Sequence, residues 1–167
     1  NLSLDSILDA ISPNIRIVLI ANPNQPTGKL LSFHEIEQLA ETARQKSDAI
    51  VVIDEAYLEF SDGKSSLPLV KQYPNLCVLR TFSKAWGLAS VRLGYIAADP
   101  SVVNQLQKVK TLLDINLFAI KAVSLLIDNY HLVESHIEEI KFSKRYIVSS
   151  LSSHNIEFFL GDTNFVH

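Results

Sequence analysis

Ala49-Ile50-Val51-Val52-Ile53-Asp54-Glu55-Ala56-Tyr57 is the stretch from which the fold can be read. An apolar run of this length, rich in β-branched residues, predicts a strand covered on both faces, and it ends abruptly on acids. Just upstream, Ser32 followed by Glu35 forms a capping-box pattern. Phe33, Ile36, Leu39, Ala40 and Ala43 lie on one helical face, which predicts a helix over 32–46. Before it, a nearly continuous apolar run at 15–21 sits between Pro13-Asn14 and Asn22-Pro23 and predicts another buried strand. Strand, helix and strand in that order make a right-handed parallel unit. The chain is therefore expected to be α/β, built on a mainly parallel sheet.

Working outward, apolar residues at Leu4, Ile7, Leu8 and Ile11 predict a short helix ended by Pro13. After the central unit, Ser61-Asp62-Gly63-Lys64 is a turn cluster, and 67–72 is expected to form a short helix. Strands are expected at 76–80 and 93–98, and Asp99-Pro100-Ser101 opens a helix that runs to 110 or 111. From 116 onward Val123, Leu126, Tyr130, Val133, Ile137, Ile140 and Ile147 hold one helical stripe, with a break expected near Asn129-Tyr130-His131. The run at 156–160 predicts a strand that begins a different layer. These features divide the chain into part of a large domain at 1–115, a helical connector at 116–153 and the start of a small domain at 154–167.

A length of 167 residues suits one ordinary domain, and 47% hydrophobic against 20% charged residues is a globular balance. A formal net charge of −3 gives no electrostatic ground for binding nucleic acid or an anionic membrane. No apolar run reaches the length of a membrane span. Cys77 is the one cysteine, so no internal disulfide forms, in keeping with a reducing cytoplasm. Methionine is absent, and the chain begins without a basic start and stops at Phe165-Val166-His167 in an extended run; it reads as part of a longer protein. His131 and His136, five apart, fall on different helix faces, so no metal site is expected.

The unusual polar residues collect in the loops that follow the strands at 15–21, 49–53 and 76–80. In open α/β sheets ligands bind beyond the carboxyl ends of the strands, so these loops are expected to converge. Lys84 lies among hydroxyl and apolar residues in Arg80-Thr81-Phe82-Ser83-Lys84-Ala85-Trp86-Gly87. Burial there lowers a lysine pKa and frees the amine for Schiff-base chemistry; the plainer alternative is a snorkelling side chain. Asp54 at a buried strand end calls for a cationic partner, such as a protonated ring nitrogen, or else caps a turn. Tyr57 offers a hydroxyl or simply fills the core. Thr81, Ser83 and Arg92 supply two hydroxyls and a fork of donors suited to a phosphate, although Arg92 alone reads as a surface residue.

Together these stretches resemble the fold-type I pyridoxal-phosphate enzymes, in particular class I/II aminotransferases close to the histidinol-phosphate aminotransferases. The resemblance is carried by Asn22-Pro23-Asn24-Gln25-Pro26-Thr27-Gly28, by Asp54-Glu55-Ala56-Tyr57, and by Thr81-Phe82-Ser83-Lys84-Ala85-Trp86-Gly87-Leu88-Ala89 followed by Arg92-Leu93-Gly94-Tyr95. It implies a three-layer sandwich around the sheet, with the beginning of a small α+β domain at the end of the chain. It implies that Lys84 links covalently to pyridoxal phosphate and then shuttles the proton. Asp54 would pair with the ring nitrogen, Tyr57 with the ring hydroxyl, and Thr81, Ser83 and Arg92 with the phosphate. Many relatives carry Asn before Pro-Thr-Gly; here Gln25 stands there with Asn24 before it, and the ring contact falls to one of the two.

The resemblance further implies a cytoplasmic homodimer that acts on a small amino donor and a 2-oxo acid, most closely histidinol phosphate and 2-oxoglutarate in histidine biosynthesis. Threonine-phosphate decarboxylase and aromatic aminotransferase are the rival enzymes. A non-catalytic aminotransferase-like binding or dimerisation domain is the rival of another class. A phosphate-holding turn, a ring-stacking aromatic and a substrate-binding arginine are expected outside residues 1–167. The segment by itself is therefore expected to turn over weakly or not at all.

Overall fold

Ser32 opens a helix as the sequence predicts, and the computed structural model, which describes residues 3–111 and 115–167, shows how. The Ser32 hydroxyl accepts the Glu35 N–H at 3.2 Å, and the Glu35 carboxylate accepts the Ser32 N–H at 2.7 Å. Both orphan donors are thereby satisfied at the start of a helix spanning Phe33–Lys46. The bonds from Ser32, backbone first, hold the Glu35 carboxyl below its ordinary value. Their contribution is complete at neutral pH and is lost as the pH falls through that lowered range.

In chain order the elements are α1 (Leu4–Ala10), β1 (Ile17–Ala21), α2 (Phe33–Lys46), β2 (Ile50–Asp54), β3 (Leu76–Thr81), β4 (Gly94–Ala97), α3 (Pro100–Val109), α4 (Leu117–Asp128) and α5 (Tyr130–Ser153). Short 3-10 turns at Leu58–Phe60, Leu67–Lys71 and Ala89–Val91 join them. The sheet order is β1-β2-β3-β4: β1, β2 and β3 are parallel, and β4 returns antiparallel to β3. This is the expected α/β architecture on a mainly parallel sheet.

Alternation along the strands sorts the apolar residues. Val51, Ile53, Leu76 and Val78 turn to one face and are fully buried, together with Ile36, Leu39, Ala40 and Ala43 of α2. Ile7, Leu8 and Ile11, in and just after α1, join the same cluster. Ile17 and Leu19 alternate onto the opposite face, where they are 67% and 64% exposed. A second cluster joins Val133 and Ile137 of α5 to Tyr57, Phe60 and Ala85, so α5 lies against the loops at the carboxyl edge of the sheet.

The expected helical break is at Asn129, which caps both α4 and α5. The short helix expected at 67–72 forms as a 3-10 helix over Leu67–Lys71, opened by Ser66 with Pro68 in its first turn. One expectation is corrected. The strand at 156–160 does not form: Leu160 makes an isolated bridge to Val166, and Phe159 exchanges backbone bonds with His167. An apolar run needs a partner ladder to become a strand, and among the described residues its pairing is confined to these contacts. The boundary expected at 115/116 adjoins residues 112–114, which lie outside the described residues.

The loop between β1 and α2 is closed by a buried amide. Asn22 is 1% exposed; its Oδ1 accepts the Leu31 N–H at 2.6 Å and its Nδ2 donates to the Leu31 carbonyl at 3.1 Å. Truncation strands both backbone groups of a buried residue. Asn22→Ala is expected to lower stability by about 2–4 kcal/mol, read by urea unfolding; a change below about 0.5 kcal/mol contradicts this account of the loop.

Candidate active site

The register of the sheet brings the three strand ends to one level. Ala21 pairs with Asp54, and Asp54 with Leu79, so the loops after β1, β2 and β3 leave the same edge. Because β4 runs the other way, its first residue, Gly94, pairs with Thr81 at that edge as well. A cavity of about 580 Å³ opens there, within the range of small-ligand sites. Asp54, Thr81, Ser83, Lys84 and Arg92 all line it.

Asp54 ends β2 with one carboxylate oxygen accepting the Ala56 N–H at 3.0 Å. It therefore caps a turn and faces the cavity at once. Thr81 ends β3, and its hydroxyl accepts the Ser83 N–H at 3.1 Å, which turns the chain toward Lys84. Arg92 reaches the cavity through an uncommon backbone: its φ of 55° and ψ of 46° are left-handed, a conformation that costs energy for a non-glycine residue. The Phe82 N–H donates to the Leu93 carbonyl at 3.1 Å and holds that turn against the lysine loop. The Arg92 guanidinium donates to the Ala89 carbonyl at 3.0 Å.

Lys84 departs from expectation in one respect. Its side chain is exposed among the described residues, so burial is not what surrounds it. The contact shown is with an aromatic face: Nζ lies 5.1 Å from the centroid of Tyr57, in cation–π range. Tyr57 itself is buried, with Phe165 edge-on at 5.5 Å, and its hydroxyl donates to Gln25 Oε1 at 3.3 Å. Tyr57 thus both fills the core and offers a hydroxyl. Asn24 is turned into its own loop, where its Oδ1 accepts the Thr27 hydroxyl at 2.9 Å. Of the pair Asn24 and Gln25, Gln25 is the one that meets Tyr57.

The loop carrying Gln25 is held from the far end of the chain. Gly28 adopts φ +70°, and a Cβ there would stand 2.6 Å from Gly161 Cα, so glycine is required on both counts. The Asp162 N–H donates to the Gly28 carbonyl at 2.7 Å. Lys144 of α5 donates to the carbonyls of Gly161 and Thr163, both at 2.5 Å. Burial pushes the Lys144 amine below its ordinary value, against the opposing pull of Asp162.

The sequence reading also missed a group of charges at the cavity wall and inward of it. Glu55, adjacent to Asp54, is fully buried, and Arg80, adjacent to Thr81, donates to it and to Glu59 at 2.8 Å each. Burial works against the Arg80 cation, but Glu59 and Glu55 outweigh it and hold the guanidinium above its ordinary value. Strand alternation was the available signal: if Asp54 faces the crevice, Glu55 must face inward. Among the described residues no group of three or more His, Cys, Asp or Glu is arranged to hold a metal ion.

The donor set suits pyridoxal phosphate. The cavity lining combines a primary amine for an aldehyde, a carboxylate for a ring cation, and hydroxyls with a guanidinium for a phosphate. A histidinol-phosphate aminotransferase of Cytophaga hutchinsonii is 36% identical over 168 residues, covering 99% of this chain and 47% of that protein. One from Chlorobaculum tepidum is 38% identical, covering 98% of this chain and 46% of that protein. The crystal structure of histidinol-phosphate aminotransferase from Sinorhizobium meliloti in complex with pyridoxal-5'-phosphate aligns with a TM-score of 0.85 at 25% identity, covering 98% of this chain and 45% of that one. The chain thus spans about half the length of the relatives it matches. The family model described as aminotransferase class I and II matches residues 1–167, and the chain belongs to that family.

Proposed function

We propose that the protein acts in pyridoxal-phosphate-dependent transamination, with histidinol phosphate as amino donor and 2-oxoglutarate as acceptor. The observation that carries this reading is the single cavity lined by Asp54, Thr81, Ser83, Lys84 and Arg92. The identities of 36% and 38% to histidinol-phosphate aminotransferases support that substrate over the decarboxylase and aromatic aminotransferase readings. A cytoplasmic homodimer belongs to the same proposal, as does the division into a large domain at 1–115, a connector at 116–153 and a small domain from 154. Among the described residues no helix is long and apolar enough to cross a membrane.

Pyridoxal phosphate, when bound, supplies a ring that withdraws electron density from the substrate Cα. The protein's residues supply the rest. Lys84 Nζ would supply the amine that condenses with the cofactor aldehyde with loss of water, and, once freed by the incoming amino donor, would take up the proton from the substrate Cα. Asp54 keeps the ring nitrogen protonated by accepting its hydrogen bond, a charge-assisted contact. The Tyr57 hydroxyl, which donates to Gln25 Oε1, would exchange that bond for one to the ring oxygen, and Thr81, Ser83 and Arg92 would hold the phosphate. The face of Tyr57 steers the Lys84 amine while it is cationic.

Lys84→Ala is expected to abolish the visible absorption that the protein acquires with pyridoxal phosphate and to lower transamination at least about 10³-fold. Retention of both would remove Lys84 from this role. Asp54→Asn is expected to weaken cofactor binding about 10- to 100-fold, measured by titration of that absorbance. Incubation of the full-length protein, loaded with cofactor, with histidinol phosphate and 2-oxoglutarate is expected to yield glutamate. Release of carbon dioxide from threonine phosphate, with no glutamate formed, would favour the decarboxylase instead.

A further inference from the structure

The last ladder contact between β2 and β3 is the Glu55 N–H donating to the Leu79 carbonyl at 3.0 Å. Beyond it the two strands part into separate loops. One carries Tyr57, the other Thr81, Ser83 and Lys84. From there the Arg80 side chain carries the connection: one guanidinium nitrogen, Nη1, donates to Glu55 Oε2 and the other, Nη2, to Glu59 Oε1, both at 2.8 Å. Glu55 is further fixed by the Ser65 hydroxyl at 2.7 Å and the Ser66 N–H at 2.5 Å. The side chain of Glu55 is fully buried and those of Glu59 and Arg80 are 11% and 16% exposed, so solvent does little to screen the pairs.

We propose that Arg80 is a positioning residue whose guanidinium, forked between Glu55 and Glu59, sets the spacing between the Asp54–Tyr57 loop and the Thr81–Lys84 loop. The inference rests on the cofactor reading given above. Three features argue for it over a purely structural ion pair. Arg80 immediately precedes Thr81 and borders the same cavity, and the buried Glu55 immediately follows Asp54, so each clamp residue is covalently joined to a residue of the cavity wall. Glu59 lies in the 3-10 turn Leu58–Phe60, directly after Tyr57, so the second arm grips the segment that holds the Tyr57 ring under Lys84. A fork of two donors also fixes an angle as well as a distance, which a single ammonium does not.

Trp86, the single tryptophan, lies two residues beyond Lys84 and rests edge-on against Phe82 at 5.1 Å, so its fluorescence reports on this loop without cofactor. Arg80→Ala would strand the buried Glu55 charge and risks unfolding the protein. The test therefore compares Glu59→Ala, which removes the outer arm alone, with Glu59→Gln, which keeps an acceptor oxygen, and with Arg80→Lys. Each is examined by thermal unfolding, by acrylamide quenching of Trp86, and by the rate at which saturating pyridoxal phosphate becomes fixed to Lys84 by borohydride. Glu59→Ala is expected to remain folded, to show about twofold stronger quenching, and to slow fixation at Lys84 by about tenfold or more, while Glu59→Gln recovers the parent rate to within about twofold. Arg80→Lys should behave like Glu59→Ala. Folded Glu59→Ala with unchanged quenching or an unchanged fixation rate overturns the inference and leaves a merely structural ion pair. No fixation at Lys84 in the parent protein instead counts against the cofactor reading itself and withdraws this inference with it.

Discussion

The register Ala21 to Asp54 to Leu79 is the constraint on which the candidate site depends. Parallel pairing with no stagger ends three strands at one level, so their loops share one crevice although they are separated by some thirty residues each. The register is itself fixed by burial. Val51, Ile53, Leu76 and Val78 are completely covered, and a slip of one residue would turn them to the opposite face and bring Cys77 and Leu79 to the α2 side. The antiparallel return of β4 adds the entry side of a fourth strand, which is how Arg92 comes within reach of Lys84.

Two adjacent acids show how strand geometry divides labour. Asp54 and Glu55 are chemically alike and side by side, yet one faces the cavity and the other lies in the interior. Asp54 keeps one oxygen for the Ala56 N–H and remains at the cavity wall. Glu55 has every neighbour a buried carboxylate needs: a guanidinium, a hydroxyl and a backbone N–H. Around this frame α5 contributes from outside the sheet: Val133 and Ile137 brace Tyr57, and Lys144 secures the 161–163 segment against the loop of Gln25.

Much of this was legible in the residues. The capping box at Ser32 and Glu35, the apolar runs behind β1, β2 and β3, and the double cap at Asn129 all follow from short-range preferences, and local sequence declares them. The cavity lining by Asp54, Thr81, Ser83, Lys84 and Arg92 followed from placing those residues at strand ends. What was not legible depends on contacts across the chain. The run at 156–160 has strand composition but no partner ladder, and composition does not reveal the partner. Burial of Lys84 was one of two readings, and the exposed one holds: the Thr81–Ser83 turn is local, but the Tyr57 face that the amine meets lies across the chain. The Arg80 fork and the approach of Gly28 to Gly161 join residues 21 or more positions apart, beyond the reach of periodicity.

The central claim is that Lys84, Asp54 and the Thr81, Ser83 and Arg92 group together receive one pyridoxal phosphate. A crystal structure of the protein grown with pyridoxal phosphate tests it most directly. The account predicts density continuous from Lys84 Nζ to the cofactor, with the Asp54 carboxylate at the ring nitrogen and the phosphate among Thr81, Ser83 and Arg92. Cofactor bound away from Lys84, or bound there with its ring nitrogen turned from Asp54, would contradict it.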